Sequence, residues 1–291
     1  MSTMTKESKF VSRTAGKKIT VGTVLVYFVL IVWAFTCLFP VYWMLTFSLK
    51  DNNEIWYENP MGLPKNWLWS NYEKVSDLGD IGQYFLNSAI VSVASIVITM
   101  IAATMATYAM TRLVWKGWKL MNKFFMLGLT IPIHASIVPL FIVLSKVDLL
   151  NTYIALIIPY SAFSLSMAIL ISTGFMGDIP YDLDEAAFLD GCGVWGIFFR
   201  VIAPLMIPAV STVGIYTFLQ CWNELMFASI FNSSGDLMTL PVGIRQLKGQ
   251  FSADWGPIGA ALTVATVPTL IFYVLLSKRI QDSFIAGAVK G

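Results

Sequence analysis

The chain is 291 residues long, 57% hydrophobic and only 12% charged, with ten Trp, twenty Phe, eleven Tyr and a formal net charge of +2; its mean hydropathy is +0.71. Soluble domains carry about 25% charged residues, so this composition excludes an ordinary water-soluble enzyme or binding module. No Lys/Arg stripe interleaved with aromatics supports nucleic-acid binding.

In chain order, residues 1–19 are predicted as a polar, basic tail. The apolar run 20–47 that follows is too long for a signal-peptide core and is expected to stay as an uncleaved span. Further spans are predicted near 84–111, 121–145, 152–174, 204–231 and 257–277. They must be helices, because an open strand edge in lipid leaves N–H and C=O groups unsatisfied. The expected class is an all-α integral membrane protein of six transmembrane helices. It divides into the tail 1–19, a first helix with its external loop (20–83), a core of five helices (84–277) containing the loop 177–203, and a tail 278–291. Thirteen of the nineteen Lys and Arg fall in the tails and in the loops after spans two and four; the other six are Lys50, Lys65, Lys74, Lys146, Arg245 and Lys248. The positive-inside rule then puts both termini in the cytoplasm.

The outer segments 51–83 and 232–256 are long and contain Trp56, Trp67, Trp69 and Trp255. Contact with an external protein and simple capping of the headgroup layer are equally good readings of them. Small residues in span two, such as Ser92, Ser95, Ala102 and Ala106, suit close helix packing. Cys37, Cys192 and Cys221 form no metal spacing and are expected as free thiols.

The most patterned stretch is the loop after span four, GDIPYDLDEAAFLDGCGVWGIFFRVIAPLMIP. Asp178 can cap a short helix, Pro180 suits its first turn, and Asp182, Asp184 and Glu185 complement the positive end of its dipole. Ala186, Ala187, Phe188 and Leu189 give an apolar side, Gly191 and Gly193 permit a change of direction, and 194–201 reads as a second amphipathic helix. The expected product is an acidic-tipped, apolar-faced knob.

Glu185-Ala186-Ala187, three residues, Gly191, nine residues, then Val201-Ile202-Ala203-Pro204 resembles the EAA loop of bacterial ABC-importer permeases. Val201 and Ala203 stand where Ile and Leu are usual, which keeps apolar character but changes local packing. Other matches resemble the smaller permease of maltose-type carbohydrate importers: Phe39-Pro40 with Ser48-Leu49-Lys50, Leu63-Pro64 with Asn71-Tyr72, Asn87-Ser88, Trp222-Asn223-Glu224, 239–243 and 287–291.

The resemblance implies a type I ABC-importer permease fold in a bacterial inner or plasma membrane. It further implies ATPase coupling through Asp182, Asp184, Glu185, Ala186, Ala187, Asp190, Gly191 and Pro204, with residues 178–193 docked on a cytoplasmic ATPase and Glu185 paired to a base there. The implied partners are a second permease, two ATPase subunits and an extracytoplasmic sugar-binding protein, in contact with membrane lipid and with no nucleic acid. This chain would bind no cofactor, ATP and Mg being held by the ATPases. The terminal 286–291 would reach the ATPase dimer, and the loop 232–256, with Gly243, Arg245 and Gln246, would contact the binding protein.

Glu224 is a carboxylate inside a predicted span; beside Trp222 and Asn223 it suits a gate or a sugar path, or equally a hydrogen-bonded helix brace. His134, the one histidine, lies between Pro132 and Pro139 where span three is expected to bend, and reads as a packing residue. Without GxxxxGK[ST] the chain has no ATP motor of that kind. A permease for a non-sugar solute and an ion-coupled secondary transporter are the alternatives; an intramembrane enzyme lacks HExxH, GxSxG or paired aspartates.

Overall fold

The computed structural model describes residues 20–78, 80–248 and 254–288, and no β-strand occurs among them. The basic residues counted in the N-terminal tail, and Lys290, lie outside the described residues. The chain divides into two compact units, Met1–Met44 and Leu45–Gly291. Most of α1 (Val21–Phe47) belongs to the first; its 27 residues span about 40 Å at the helical rise. Its side chains are exposed along nearly the whole length, the expected state of a helix bathed in lipid.

In the second unit the elements run α2 (Ser70–Leu78), α3 (Ile81–Thr111), α4 (Trp118–Gly128), α5 (Ile137–Lys146), α6 (Ile154–Gly177) and α7 (Asp182–Leu189). They continue as α8 (Val194–Ile197), α9 (Ala203–Leu205), α10 (Ile207–Trp222), α11 (Met226–Phe231), α12 (Leu240–Gln246) and α13 (Trp255–Ala288). Four continuous helices are long and apolar enough to cross a bilayer, and two bent pairs raise the number to six if each pair is one span.

The bends have local causes. Between α4 and α5 the axis turns by 96° through a short 3-10 helix, Ile133–Ser136. Pro132 precedes that helix in extended conformation and forces the break, whereas Pro139 sits in the first turn of α5, where no N–H is needed. His134 is exposed at the break with its ring 6.2 Å from that of Phe227, so it is not an enclosed packing residue. The stretch expected as one span over 204–231 is interrupted twice. The segment 194–205 meets α10 at 71°, where Pro208 cannot donate to the preceding turn, and α10 ends at Trp222 before α11 begins.

Helix α3 forms the spine of the second unit, packing on α6 and α10, while α13 packs on α10 and α2. Side-chain bonds fix the directions. Tyr153 Oη donates to Asn87 Oδ1 at 2.7 Å, joining the beginnings of α6 and α3. The Arg112 guanidinium joins their ends, so the two helices run parallel. Trp222, at the end of α10, meets Phe85 near the start of α3 with ring centroids 5.3 Å apart, so α10 runs the other way.

The connection from α1 to α2 wraps around a buried amine. Lys50 is 0% exposed and donates through Nζ to the carbonyls of Asn59 and Gly62, both at 2.7 Å. Burial pulls its pKa below the ordinary lysine value, with buried Glu54 opposing. Glu54 Oε1 accepts from the Lys65 N–H at 2.7 Å, and Asn71 donates to the carbonyls of Ser48 and Lys50. The Trp255 N–H then donates to Asn52 Oδ1 at 2.8 Å, tying the start of α13 to this segment.

Candidate functional site

The loop after α6 folds into the knob that the sequence predicts, with different local detail. Asp178 is the C-terminal cap of α6 rather than the N-cap of α7, because the chain is still turning off α6 when it reaches Ile179. Helix α7 starts at Asp182 with Asp182, Asp184 and Glu185 in its first turn. It ends in a Schellman motif: the Gly191 N–H donates to Phe188 O and the Cys192 N–H to Ala187 O, both at 3.0 Å. Gly191 takes φ +83°, a left-handed conformation that costs a residue with a Cβ roughly 1–2 kcal/mol. Gly193 has φ −77°, which any residue adopts, so only one of the two glycines is needed for its backbone. The second amphipathic helix is α8, running through a π-helical turn, Phe198–Ile202, into α9.

The faces of α7 are sharply sorted. Ala187 is buried, whereas Glu185, Ala186, Asp182 and Asp190 are exposed, and Phe188 and Leu189 are 71% and 85% exposed. In the segment that follows, Trp195 and Phe199 are stacked with ring centroids 6.0 Å apart and are 61% and 63% exposed. Large apolar side chains exposed in a region expected outside the membrane make this segment a candidate interaction site. Gly191 and Pro204 are exposed as well.

Asp184 turns inward instead. Its Oδ2 lies 3.0 Å from Arg112 Nη1, with the two side chains 18% and 3% exposed. The approach is a charge contact rather than an aligned hydrogen bond, and the Asp184 oxygens gain no hydrogen-bond donor. Burial raises the Asp184 pKa above the ordinary carboxylate value, with Arg112 working against that rise. Arg112 also stacks over Tyr181, its Cζ 4.0 Å from the ring centroid. A cleft of about 470 Å³ opens between this cluster and α8, lined by Tyr108, Arg112, Tyr181, Phe188 and Val194 among others.

At the opposite end, Glu224 is a brace. Its Oε1 accepts from the Phe227 N–H at 2.9 Å and its Oε2 from the Ala228 N–H at 3.1 Å, capping the first turn of α11, while Tyr160 Oη donates to Oε2. Trp222 is buried, stacked on Phe218, and donates through Nε1 to Ala265 O of α13 at 3.0 Å. Asn223 is exposed beside a cleft of about 300 Å³ between α10, α12 and α13, which Thr266 and Thr269 also line.

The segment 232–246 is held tightly. Asn87 Nδ2 donates to the carbonyls of Asp236 and Met238, both at 2.8 Å, Ser88 Oγ accepts from the Leu240 N–H, and Asn232 donates to Thr152 O. Gly243 is buried with the Tyr84 ring where a side chain would be, whereas Arg245 and Gln246 of α12 are exposed. Among the described residues no group of three or more His, Cys, Asp or Glu could hold a metal ion. Arg112, Tyr160 and Tyr181 are the contributors that sequence reasoning missed; the first entered it only as one charge in an orientation tally.

Residues 96–285 match the family of binding-protein-dependent transport system inner membrane components. The chain is 34% identical over 271 residues to a probable ABC transporter permease protein of Bacillus subtilis, YurM, covering 93% of this chain and 90% of that protein. It is 34% identical over 263 residues to the diacetylchitobiose uptake system permease protein NgcG of Streptomyces coelicolor, covering 90% and 87%. It is 36% identical over 254 residues to the sulfoquinovosyl glycerol transport system permease protein SmoH of Agrobacterium fabrum, covering 87% and 89%. In fold it is similar to a chain from the crystal structure of a bacterial ABC transporter involved in the import of the acidic polysaccharide alginate, with a TM-score of 0.79 at 18% identity, covering 90% of this chain and 97% of that one. A helical membrane framework, a carboxylate-bearing knob after α6 and these matches along nearly the whole length leave one assignment: the chain belongs to the family of binding-protein-dependent transport system inner membrane components and is a permease subunit of an ABC transporter.

Proposed function

We propose that this permease imports a sugar or small oligosaccharide, forming part of the path with a second, related permease, and that α7 is the element by which a cytoplasmic ATPase drives it. The observation that carries the coupling role is the exposed face of α7, where Glu185 stands beside Phe188 and Leu189 at a Schellman-terminated helix end. A carboxylate in a partly desolvated, charge-paired interface costs about 2–5 kcal/mol to orphan, which suits Glu185 as the anchor to a basic residue of the ATPase. Asp182, Ala186 and Asp190 are exposed on the same short helix and its cap, and Pro204 is exposed in α9.

The carbohydrate class rests on relatives whose names specify diacetylchitobiose, sulfoquinovosyl glycerol and trehalose. ATP and Mg are held by two ATPase subunits, and an external binding protein delivers the cargo. Both termini are cytoplasmic in this reading, and the terminal 286–291 reach towards the ATPases. The exposed Arg245 and Gln246 meet the binding protein, and Trp222, Asn223 and Glu224 shape the outer part of the path.

The test is a reconstituted complex of this chain with its partner permease, ATPase and binding protein. Glu185→Ala and Gly191→Pro are each expected to abolish cargo-stimulated ATP hydrolysis in complexes that still assemble. Import is measured in parallel for disaccharides and for amino acids. Unchanged stimulation in an assembled Glu185→Ala complex removes the coupling role, and import of amino acids instead of disaccharides removes the sugar.

A further inference from the structure

We infer that Arg112 is the positioning residue that makes the coupling helix move as one body with α3 and α6, so that force delivered to α7 enters two transmembrane helices at once. This rests on the coupling role proposed for α7.

The backbone of Arg112 continues α3, its N–H donating to Tyr108 O at 2.9 Å as the C-cap of that helix. Its side chain leaves α3 entirely. Nη2 donates to Met176 O at 2.9 Å in the last turn of α6 and to Ile179 O at 2.5 Å just beyond it, joining the Ile179 N–H on Met176 O. A cation is also the favourable charge at that pole of the dipole. Nη1 reaches Asp184 on α7, and the guanidinium plane lies over Tyr181 just before α7. Tyr181 closes the ring by donating through Oη to Thr111 O, the residue before Arg112, at 3.0 Å. Three chain segments therefore converge on one side chain that is 3% exposed.

Only a guanidinium suits this place. Its planar fork directs several N–H groups in fixed directions and stacks on an aromatic face at the same time, whereas an ammonium offers one nitrogen. The Arg112–Asp184 contact is not explained by stability. Burial disfavours the Asp184 charge, and buried ion pairs of this kind are weak stabilisers whose better-attested role is to hold register. Register between α7 and α3 is what a coupling element needs, since slack between them would dissipate the displacement before it reached the helices lining the path.

The experiment uses the full reconstituted complex and reads cargo imported per ATP hydrolysed. Arg112→Met is expected to lower that ratio about five- to tenfold, Arg112→Lys to recover part of it, and Asp184→Asn to add little to Arg112→Met because both break the same contact. Hydrogen exchange of the α7 amides in the same assembled complexes reads the slack directly. It is expected to quicken at least tenfold in Arg112→Met and less in Arg112→Lys, with α10 unchanged.

Wild-type exchange of α7 in Arg112→Met would show that this side chain does not hold the helix, and would overturn the inference. So would a wild-type ratio in Arg112→Met. If Arg112→Met does not assemble, Arg112→Lys decides by the same two readouts. A silent Arg112→Met with a silent Glu185→Ala removes the coupling role itself; a silent Arg112→Met with a damaging Glu185→Ala removes only the positioning role.

Discussion

The Tyr160 hydroxyl donates to Glu224 Oε2 at 2.5 Å across 64 positions of sequence, and the same carboxylate caps the first turn of α11. A charged group inside a predicted span is thus engaged on both oxygens, which explains how the chain breaks after α10 without leaving the next helix end bare. Glu224→Ala orphans two N–H groups and a buried hydroxyl, each worth about 1–3 kcal/mol. It is expected to lower the thermal midpoint of the detergent-solubilised complex by several degrees, whereas Glu224→Gln, which keeps acceptor oxygen, loses less. Equal midpoints for Glu224→Ala and wild type would remove the brace.

Asn87 is 0% exposed and holds the carbonyls of Asp236 and Met238, 149 and 151 positions away. Asn87→Ala leaves both without that donor at about 1–3 kcal/mol apiece, a cost taken up locally by loosening of 236–246. Hydrogen exchange is expected to quicken at least tenfold there and to stay unchanged in α7. Unchanged protection throughout would mean that Ser88 and Asn232 suffice.

Asp184 gives a pH dependence whose sign is opposite to that of an ordinary salt-bridged carboxylate. Its pKa is raised in the folded protein, so the folded state holds more protons than the unfolded one between the ordinary carboxylate value and the raised value. Its contribution to stability is full below that window and declines as pH rises through it. Asp184→Asn is expected to abolish that part of the slope. Thermal midpoints of the two proteins measured across the acidic range check this; parallel curves contradict it.

Two glycines predict contrasting outcomes. A Cβ at Gly191 meets nothing within 4 Å, so Gly191→Ala carries only the left-handed backbone penalty of roughly 1–2 kcal/mol. A Cβ at Gly256 meets Lys50 O and the Asn71 amide, backbone and a hydrogen-bonded side chain that cannot swing aside. Gly256→Ala is therefore expected to dislodge the start of α13 and expose Trp255, read as a red shift in its fluorescence in a variant lacking the other tryptophans. Gly191→Ala leaves that signal unmoved.

Much of the framework was legible because long apolar runs in lipid admit few alternatives, and 81–111 and 154–177 emerge almost as predicted. The breaks were harder. Composition stays apolar through Met206 and beyond Asn223, so hydropathy alone reads one span, although Pro208 and the polar pair Asn223-Glu224 marked both interruptions. In the knob, the EAA spacing and Gly191 located α7, while the inward turn of Asp184 was hidden in a run of three carboxylates. Its position three residues before buried Ala187 places it on the same helical face, which was the available signal. Arg112 carried none, since what distinguishes it from other loop cations is the pair of carbonyls in and just beyond the last turn of α6, 64 and 67 positions away.

The folding of 48–72 around Lys50 also has a consequence for reagents. An amine that is 0% exposed and engaged with two carbonyls is closed to acylating labels, whereas Lys65 and Lys74, with side chains 56% and 51% exposed, are open to them. Modification of Lys50 relative to those two therefore serves as an internal clock for opening of this segment, readable by mass spectrometry without any substitution in the chain.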